Sequence, residues 1–338
     1  MDKYHRQKIV PGFGADGQEK LSKSRILVIG CGGLGCPALV YLARAGVGEL
    51  ILVDDDVVSE TNLHRQILFD IDDIGKPKVE VAKHKLMASN KDIKINCFEA
   101  RVGLKNIRDL MDGCDVVLDG SDNFETKYLT NNMCIDLKIP MIYGAVNRFE
   151  GQLAVFNLPQ ADGAYSLNMN DLFPDKPSVE ELGSCEENGV IGPVAGLIGQ
   201  MMAIECIKII VGVGSQLIDK MMMIDSQNHR YHSMAYQKHD IKEVVKEIGE
   251  ISWAEYYENY RGLDNTQLVD VRTAEERLQR DQGGLHIELN SPEIENLTPS
   301  VIQIFYCETG NRARRAQMRL LAKSPDAEAF FISGRLPV

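Results

Sequence analysis

Short apolar runs rich in valine, isoleucine and leucine alternate along the first half of the chain with longer stretches whose apolar positions recur every three or four residues. The first pattern is that of strands buried on both faces, the second that of helices covering them. Arg25-Ile-Leu-Val-Ile-Gly30 reads as a strand, and the glycine-rich residues after it lead into a helix over 34–45. Glu49-Leu-Ile-Leu-Val-Asp54 is the next strand. A helix over 76–89, a strand over 94–99, a helix over 104–111 and a strand over 115–119 follow. The spacing then predicts a helix over 124–137 and strands over 140–145 and 151–156. This alternation specifies an α/β fold with a Rossmann-like, doubly wound mixed sheet.

Residues 159–189 show little periodicity, and a stretch of that length inside a compact domain reads as a functional crossing or lid. The apolar run over 191–213 that follows has to be tested as a membrane span. It carries Gln200, Glu205 and Lys208, and two charges near a span centre would cost roughly 5–7 kcal/mol. A buried core helix fits better, with glycines at 192, 196 and 199 permitting close packing. Strands over 220–224 and 229–235 form a hairpin, and the charged residues 236–250 are the candidate linker. Beyond it, Leu268-Val-Asp-Val-Arg272, Val301-Ile-Gln-Ile-Phe-Tyr306 and a helix over 312–322 mark a second, small α/β unit. The expected division is a first domain over 1–240, a linker over 241–250 and a second domain over 251–338.

Composition narrows the function classes. Aspartate and glutamate outnumber lysine and arginine by 49 to 37, a net charge of −12. That balance argues against nucleic-acid and anionic-membrane partners. No two of the eight cysteines are spaced C-x-x-C, which removes the usual zinc ribbon and the thioredoxin-type pair. The opening Met1-Asp-Lys-Tyr-His-Arg-Gln7 has no apolar run of signal-peptide kind, so a cytoplasmic protein with reduced thiols is expected.

Gly30-Cys-Gly32-Gly33-Leu-Gly35 stands between a strand and a helix. Its glycines let phosphates approach the backbone, and the helix start offers free N–H groups. Asp54 ends the next strand, where a carboxylate can accept from ribose hydroxyls. Nucleotidyl transfer also needs cations and an acid for Mg²⁺. Asn62, Arg65 and Gln66, then Lys78, then Asp122 at the end of a strand supply that set, and together they favour ATP over NAD.

Residues 1–240 resemble the ThiF/MoeB/HesA adenylyltransferases, bacterial relatives of ubiquitin-activating enzymes. Arg6, Gly30, Gly32, Gly33, Gly35, Asp54, Asn62, Arg65, Gln66, Lys78 and Asp122 carry the likeness. The resemblance implies that Asp54 holds the ribose, Asp122 the Mg²⁺, and Arg65, Gln66 and Lys78 the phosphates. It further implies a homodimer in which Arg6, on a mobile N-terminal arm, reaches the partner subunit's site. The implied reaction joins the C-terminal Gly-Gly carboxylate of a ubiquitin-like sulfur carrier protein to AMP. Most relatives bind structural zinc through two C-x-x-C pairs. The corresponding residues here, 164–167 and 234–239, have no cysteine, so no structural zinc is expected and His229 and His232 read as ordinary strand residues.

Two cysteines remain. Cys185 matches the family's crossing-loop cysteine, a thiol with a covalent role in some relatives and none in others. Cys307, in Tyr306-Cys-Glu-Thr-Gly-Asn-Arg312, follows a strand and leads into a helix near Arg312, Arg314 and Arg315, a setting that favours an anionic sulfur. Residues 251–338 resemble a compact, possibly truncated rhodanese domain through Asp270-Val-Arg272, Gly284-Leu-His-Ile287 and the Cys307 loop, whose four residues between Cys307 and Arg312 make a cradle suited to sulfur. The reading is ATP-dependent adenylation of the carrier, with a Cys307 persulfide, loaded by a cysteine desulfurase or another donor, converting its terminus to a thiocarboxylate. Adenylation of another peptide or a tRNA-bound carboxylate, with the second domain as a docking module, and an NAD dehydrogenase are the rivals.

Overall fold

A computed structural model describes residues 2–174, 189–238, 249–263, 265–298, 301–324, 327–333 and 336. The chain divides into two compact units, Met1–His239 and Asp240–Val338.

The first unit is built on an eight-stranded sheet in the order β3-β2-β1-β4-β5-β6-β7-β8. Its strands are β1 (Arg25–Ile29), β2 (Glu49–Asp54), β3 (Lys94–Glu99), β4 (Val116–Asp119), β5 (Met141–Asn147), β6 (Glu150–Phe156), β7 (Lys220–Asp225) and β8 (Arg230–Ala235). β1 to β5 run parallel, and β6 to β8 continue the sheet antiparallel. The two faces are legible in β1 itself. Ile26 and Val28 join one apolar core, with Leu39, Leu42, Val79 and Met202. Leu27 and Ile29 join the other, with Ile107, Met111 and Cys134. Period-2 alternation within a run of buried residues thus sends successive side chains into two separate helix layers.

The helices are α1 (His5–Lys8), α2 (Gly14–Lys23), α3 (Gly35–Ala45), α4 (Lys78–Ser89), α5 (Ile107–Met111), α6 (Phe124–Leu137), α7 (Met169–Leu172) and α8 (Gly192–Val211). By length and composition α8 could cross a membrane, but half of its most apolar window is buried and it packs against α3, α2, β5 and β6. Its Gly192 is a close-approach position, since a Cβ there would stand 2.3 Å from the His64 carbonyl oxygen.

The N-terminal segment departs from the expected mobile arm. It forms α1 and α2 and is clamped down. The Tyr4 ring lies against Gly46, where a Cβ would come within 2.5 Å of it, and Asn90 Nδ2 donates to Tyr4 Oη at 2.8 Å. Gln7 and Gln18 Nε2 both donate to the Ala45 carbonyl, at 3.0 and 2.9 Å. The partners are distant in sequence, so local pattern could not reveal them.

Asp219 bonds to described residues in both of the segments that the resemblance equips with zinc cysteines. Asp219 Oδ1 accepts the Leu167 N–H at 2.7 Å, and the Asp219 carbonyl accepts the Tyr236 N–H at 3.1 Å. His229 and His232 are exposed at the outer hairpin.

The second unit is a five-stranded parallel sheet in the order β11-β10-β12-β13-β9. It comprises β9 (Gly249–Ile251), β10 (Thr266–Asp270), β11 (Leu285–His286), β12 (Ile302–Tyr306) and β13 (Ala329–Ile332), with α9 (Ala274–Gln279) and α10 (Asn311–Lys323). β9 begins inside the stretch expected to be linker and pairs with β13. Residues 241–248 of that linker lie outside the described residues.

Candidate functional site

The strand order reverses around β1, whose neighbours are β2 and β4. In open α/β sheets, the crevice at the carboxyl ends of such strands is where ligands bind. Gly30 leaves β1 with φ +88°, and α3 starts at Gly35 so close behind that a Cβ on Gly35 would stand 1.9 Å from the Gly30 carbonyl oxygen. Only glycine permits that turn. Among the described residues no side chain caps α3; the Cys36 N–H is taken by the Gly32 carbonyl at 2.9 Å and Pro37 has none, so what the helix start offers an anion is chiefly the positive end of its dipole. Asp54 Oδ2 accepts the Cys31 N–H at 2.6 Å, which ties the end of β2 to the loop. Burial pushes the Asp54 carboxyl up from its ordinary value, while the nearby Lys78 charge and the N–H groups of Asp56 and Cys31 oppose that rise.

The other sequence-selected residues gather around this loop to differing degrees. Arg65 lies over it, its Cγ 3.5 Å from where a Gly33 Cβ would stand, and its guanidinium donates to the Thr61 carbonyl at 3.0 Å. Gln66 is buried with Oε1 unpartnered among the described residues, and its Nε2 is 3.8 Å from where a Gly32 Cβ would stand. Asn62 closes a capping box with Ser59 that shapes the turn carrying both. Lys78, at the start of α4, is buried and donates to Asp56 Oδ2 at 2.7 Å. Sequence reading missed that partner, an exposed aspartate in a row of three. Arg6 sits exposed on α1.

Asp122 follows β4 on the turn that abuts the loop, since a Cβ on Gly30 would stand 3.0 Å from the Gly120 carbonyl oxygen. Its carboxylate is exposed, with Asn123 Nδ2 at 3.5 Å. Asn123 in turn caps α6 by accepting the Thr126 N–H at 2.8 Å. An exposed carboxylate is a donor type that fits Mg²⁺, which takes one or two protein carboxylates together with substrate phosphate oxygens.

In the second unit Cys307 directly follows β12. It is 1% exposed, and its Sγ accepts the Gly310 N–H at 3.1 Å, immediately before α10. Gly310 adopts φ +89°, which turns the loop back over the sulfur. Arg312 interacts with Cys307, but its guanidinium forks onto Glu276 at 2.6 and 2.7 Å. Arg314 and Arg315 of the same helix are exposed. Glu276 also closes the capping box of α9 with Thr273, a capping sequence readable in advance. Below, Arg272 bonds Asp270 through two nitrogens at 2.9 and 2.8 Å, and Tyr306 Oη donates to the same carboxylate at 2.9 Å. Cys185 lies outside the described residues.

Comparisons with known proteins agree with this geometry. The model of the ThiF family matches residues 4–244. A probable adenylyltransferase/sulfurtransferase, MoeZ of Mycobacterium tuberculosis, is 33% identical over 98% of this chain and 91% of its own length. A sulfur carrier protein adenylyltransferase of Thermus thermophilus is 37% identical over 70% of this chain and 88% of its own. Among solved structures, the microcin C7 biosynthetic enzyme MccB with N-formylated MccA shares the fold, with a TM-score of 0.60 and 23% identity, over 71% of this chain and 74% of that one. The MoeZ relative spans both units, which accords with a rhodanese-like second unit behind the adenylation fold. The chain belongs to the ThiF family.

Proposed function

We propose that this protein adenylates the C-terminal Gly-Gly carboxylate of a ubiquitin-like sulfur carrier with ATP, and that its second unit supplies sulfur as a Cys307 persulfide. The observation that carries the reading is the meeting of two loops at the strand-order reversal: an uncapped helix start with Asp54 bound to its loop, and the Asp122 turn packed against it.

The α3 start, Arg65, Gln66 and Lys78 bind the phosphates, with Lys78 released from Asp56, and Asp54 accepts from the ribose. Asp122 holds Mg²⁺, which when bound offsets phosphate charge. The carrier carboxylate attacks the α-phosphorus and pyrophosphate leaves. The terminal sulfur of the persulfide then attacks the acyl carbon and expels AMP, leaving the carrier joined to Cys307 through a disulfide. A thiol attacking Cys307 Sγ releases the thiocarboxylate and takes Cys307 into a new disulfide, which a second thiol reduces. Cys185 is our candidate for a thiol in the handover between adenylation and sulfur transfer. A cysteine desulfurase is the candidate source of sulfur. Arg6 acts across a homodimer, in the partner subunit's site.

The test is carrier-dependent ATP–pyrophosphate exchange together with mass spectrometry of the carrier. Asp122→Ala should abolish exchange. Cys307→Ala should keep exchange and lose thiocarboxylate. The burial of Cys307 favours a second reading, a docking module without sulfur chemistry; thiocarboxylate formed by Cys307→Ala at the wild-type rate would establish it.

A further inference from the structure

β4 ends on a buried ion pair that the chemistry above leaves unused. Asp119 is fully buried, and Lys127, on the inner face of α6, is 3% exposed. Lys127 Nζ lies 3.4 Å from Asp119 Oδ1, donates to the Gly144 carbonyl of β5 at 3.0 Å and sits 4.8 Å above the Tyr143 ring. The same Asp119 oxygen accepts from the Ser121 N–H at 2.9 Å and from Ser121 Oγ at 2.5 Å. One carboxylate oxygen, held by one buried ammonium, thereby gathers both donors of the residue immediately before Asp122.

A pair of this kind is poor evidence of stabilisation, because apolar side chains of matched shape serve a core equally well. Its placement is informative. Asp119 Oδ2 has no hydrogen-bond partner among the described residues, and Lys127 is the cation that faces the buried carboxylate. Removing one partner of a buried pair leaves the other uncompensated, which is costly, and a carboxylate that shifts to relieve that cost gives up its two bonds to Ser121. The turn from Gly120 to Asp122 then loses its anchor. On the other side of that turn is Gly30, whose missing side chain lets the phosphate loop lie against Gly120.

We infer that Lys127 is a positioning residue for metal-bound triphosphate: through Asp119 and Ser121 it sets the direction in which Asp122 presents its carboxylate. The inference rests on the reading of Asp122 as the Mg²⁺ ligand. Partners of a metal ligand typically change metal affinity by about 10–100-fold when removed.

The experiment titrates Mn²⁺ into the full chain with a non-hydrolysable ATP analogue, reading free Mn²⁺ by electron paramagnetic resonance, and measures the analogue's Kd separately in EDTA. Lys127→Met should raise the Mn²⁺ Kd about tenfold or more and leave the metal-free Kd of the analogue unchanged. Lys127→Arg, which restores a cation, should recover most of the affinity. Ser121→Ala, which removes one of the two bonds to Asp119, should shift the Mn²⁺ Kd in the same direction by less, and it decides the matter if Lys127→Met does not fold. An unchanged Mn²⁺ Kd in folded Lys127→Met, or in Ser121→Ala when that variant decides, overturns the inference. So does an equal loss of metal-free analogue binding, which marks a merely structural role. If the wild type itself shows no nucleotide-dependent Mn²⁺ binding, the nucleotide reading fails and the inference fails with it.

Discussion

Gly35→Ala and Gly196→Ala add the same methyl group to two helices and are expected to act in opposite directions. At Gly35 the new Cβ would stand 1.9 Å from the Gly30 carbonyl oxygen, where real Cβ atoms keep at least 3.0 Å. About 1 Å must therefore open between β1 and α3, and a displacement of that size at a reacting site costs on the order of a hundredfold. Gly30 cannot give way easily. Its N–H is bonded to Val53, its φ is +88°, and Gly120 backs it on the other side. Alanine gains about 1 kcal/mol of helix propensity, which overpacking of roughly 1–3 kcal/mol offsets or exceeds. At Gly196, inside α8, a Cβ would meet nothing within 4 Å among the described residues. Alanine there should stabilise by roughly 0.5–1 kcal/mol and raise the melting temperature of the first unit by about 2–4 °C. The assays are thermal melting of the full chain and carrier-dependent pyrophosphate exchange. Gly35→Ala with wild-type exchange would refute the argument that backbone contact shapes the loop. A lower melting temperature for Gly196→Ala would refute the open space.

Arg312 holds the Glu276 carboxyl well down, to about 2 from the usual 4.5. Its contribution is therefore complete above the unfolded value and is lost as pH falls from 4.5 towards 2. The Glu276 side chain is 37% exposed, so solvent screening leaves about 1 kcal/mol. Glu276→Gln should lower the urea midpoint of the second unit at pH 6, and the gap to wild type should narrow towards pH 3. Asp219→Ala removes the acceptor of the Leu167 N–H and should cost about 1–3 kcal/mol, whereas Asp219→Asn keeps an acceptor and tolerates the φ of +53° that residue 219 adopts. Equal denaturation midpoints for the two variants would count against the tether, and elemental analysis of the purified chain should find no zinc. Mixing Arg6→Ala with Asp122→Ala subunits should restore exchange if Arg6 acts in trans, and no recovery after verified subunit exchange argues against it.

The buried strands and the Gly30 loop were legible because their signals are local: apolar runs bounded by glycine, and a spacing fixed by turn geometry. Asp54 and Asp122 could be placed because each stands where a strand ends. The rest depended on distant partners. Nothing near Lys127 in sequence announces that its ammonium is buried, since Phe124–Leu137 is a polar-looking helix that hides one of its three charged residues beneath a strand end. Lys78 looked like a free phosphate cation until Asp56, brought close by a β-bridge between Val57 and Pro77, proved to hold it. The N-terminal arm looked mobile because its anchors are Gly46 and Asn90. β9 escaped notice because three residues next to a charged stretch carry no period, and only β13 gives them a partner.

The pairing of β9 with β13 also governs the order in which the second unit can be made. Among the described strands of that unit β9 is synthesised first and β13 last, yet they are neighbours at one edge of the sheet. The intervening strands can pair as they emerge, but β9 must wait unpaired until nearly the whole unit has left the ribosome. Parallel pairing over such a sequence separation is slow, because the loop must be closed before any contact rewards it. Among the described strands the last of the first unit, β8, is complete before β9 begins. Vectorial synthesis should therefore yield a folded nucleotide-binding unit carrying an unfinished sulfur unit, with Gly249–Ile251 exposed as an open edge for the interval.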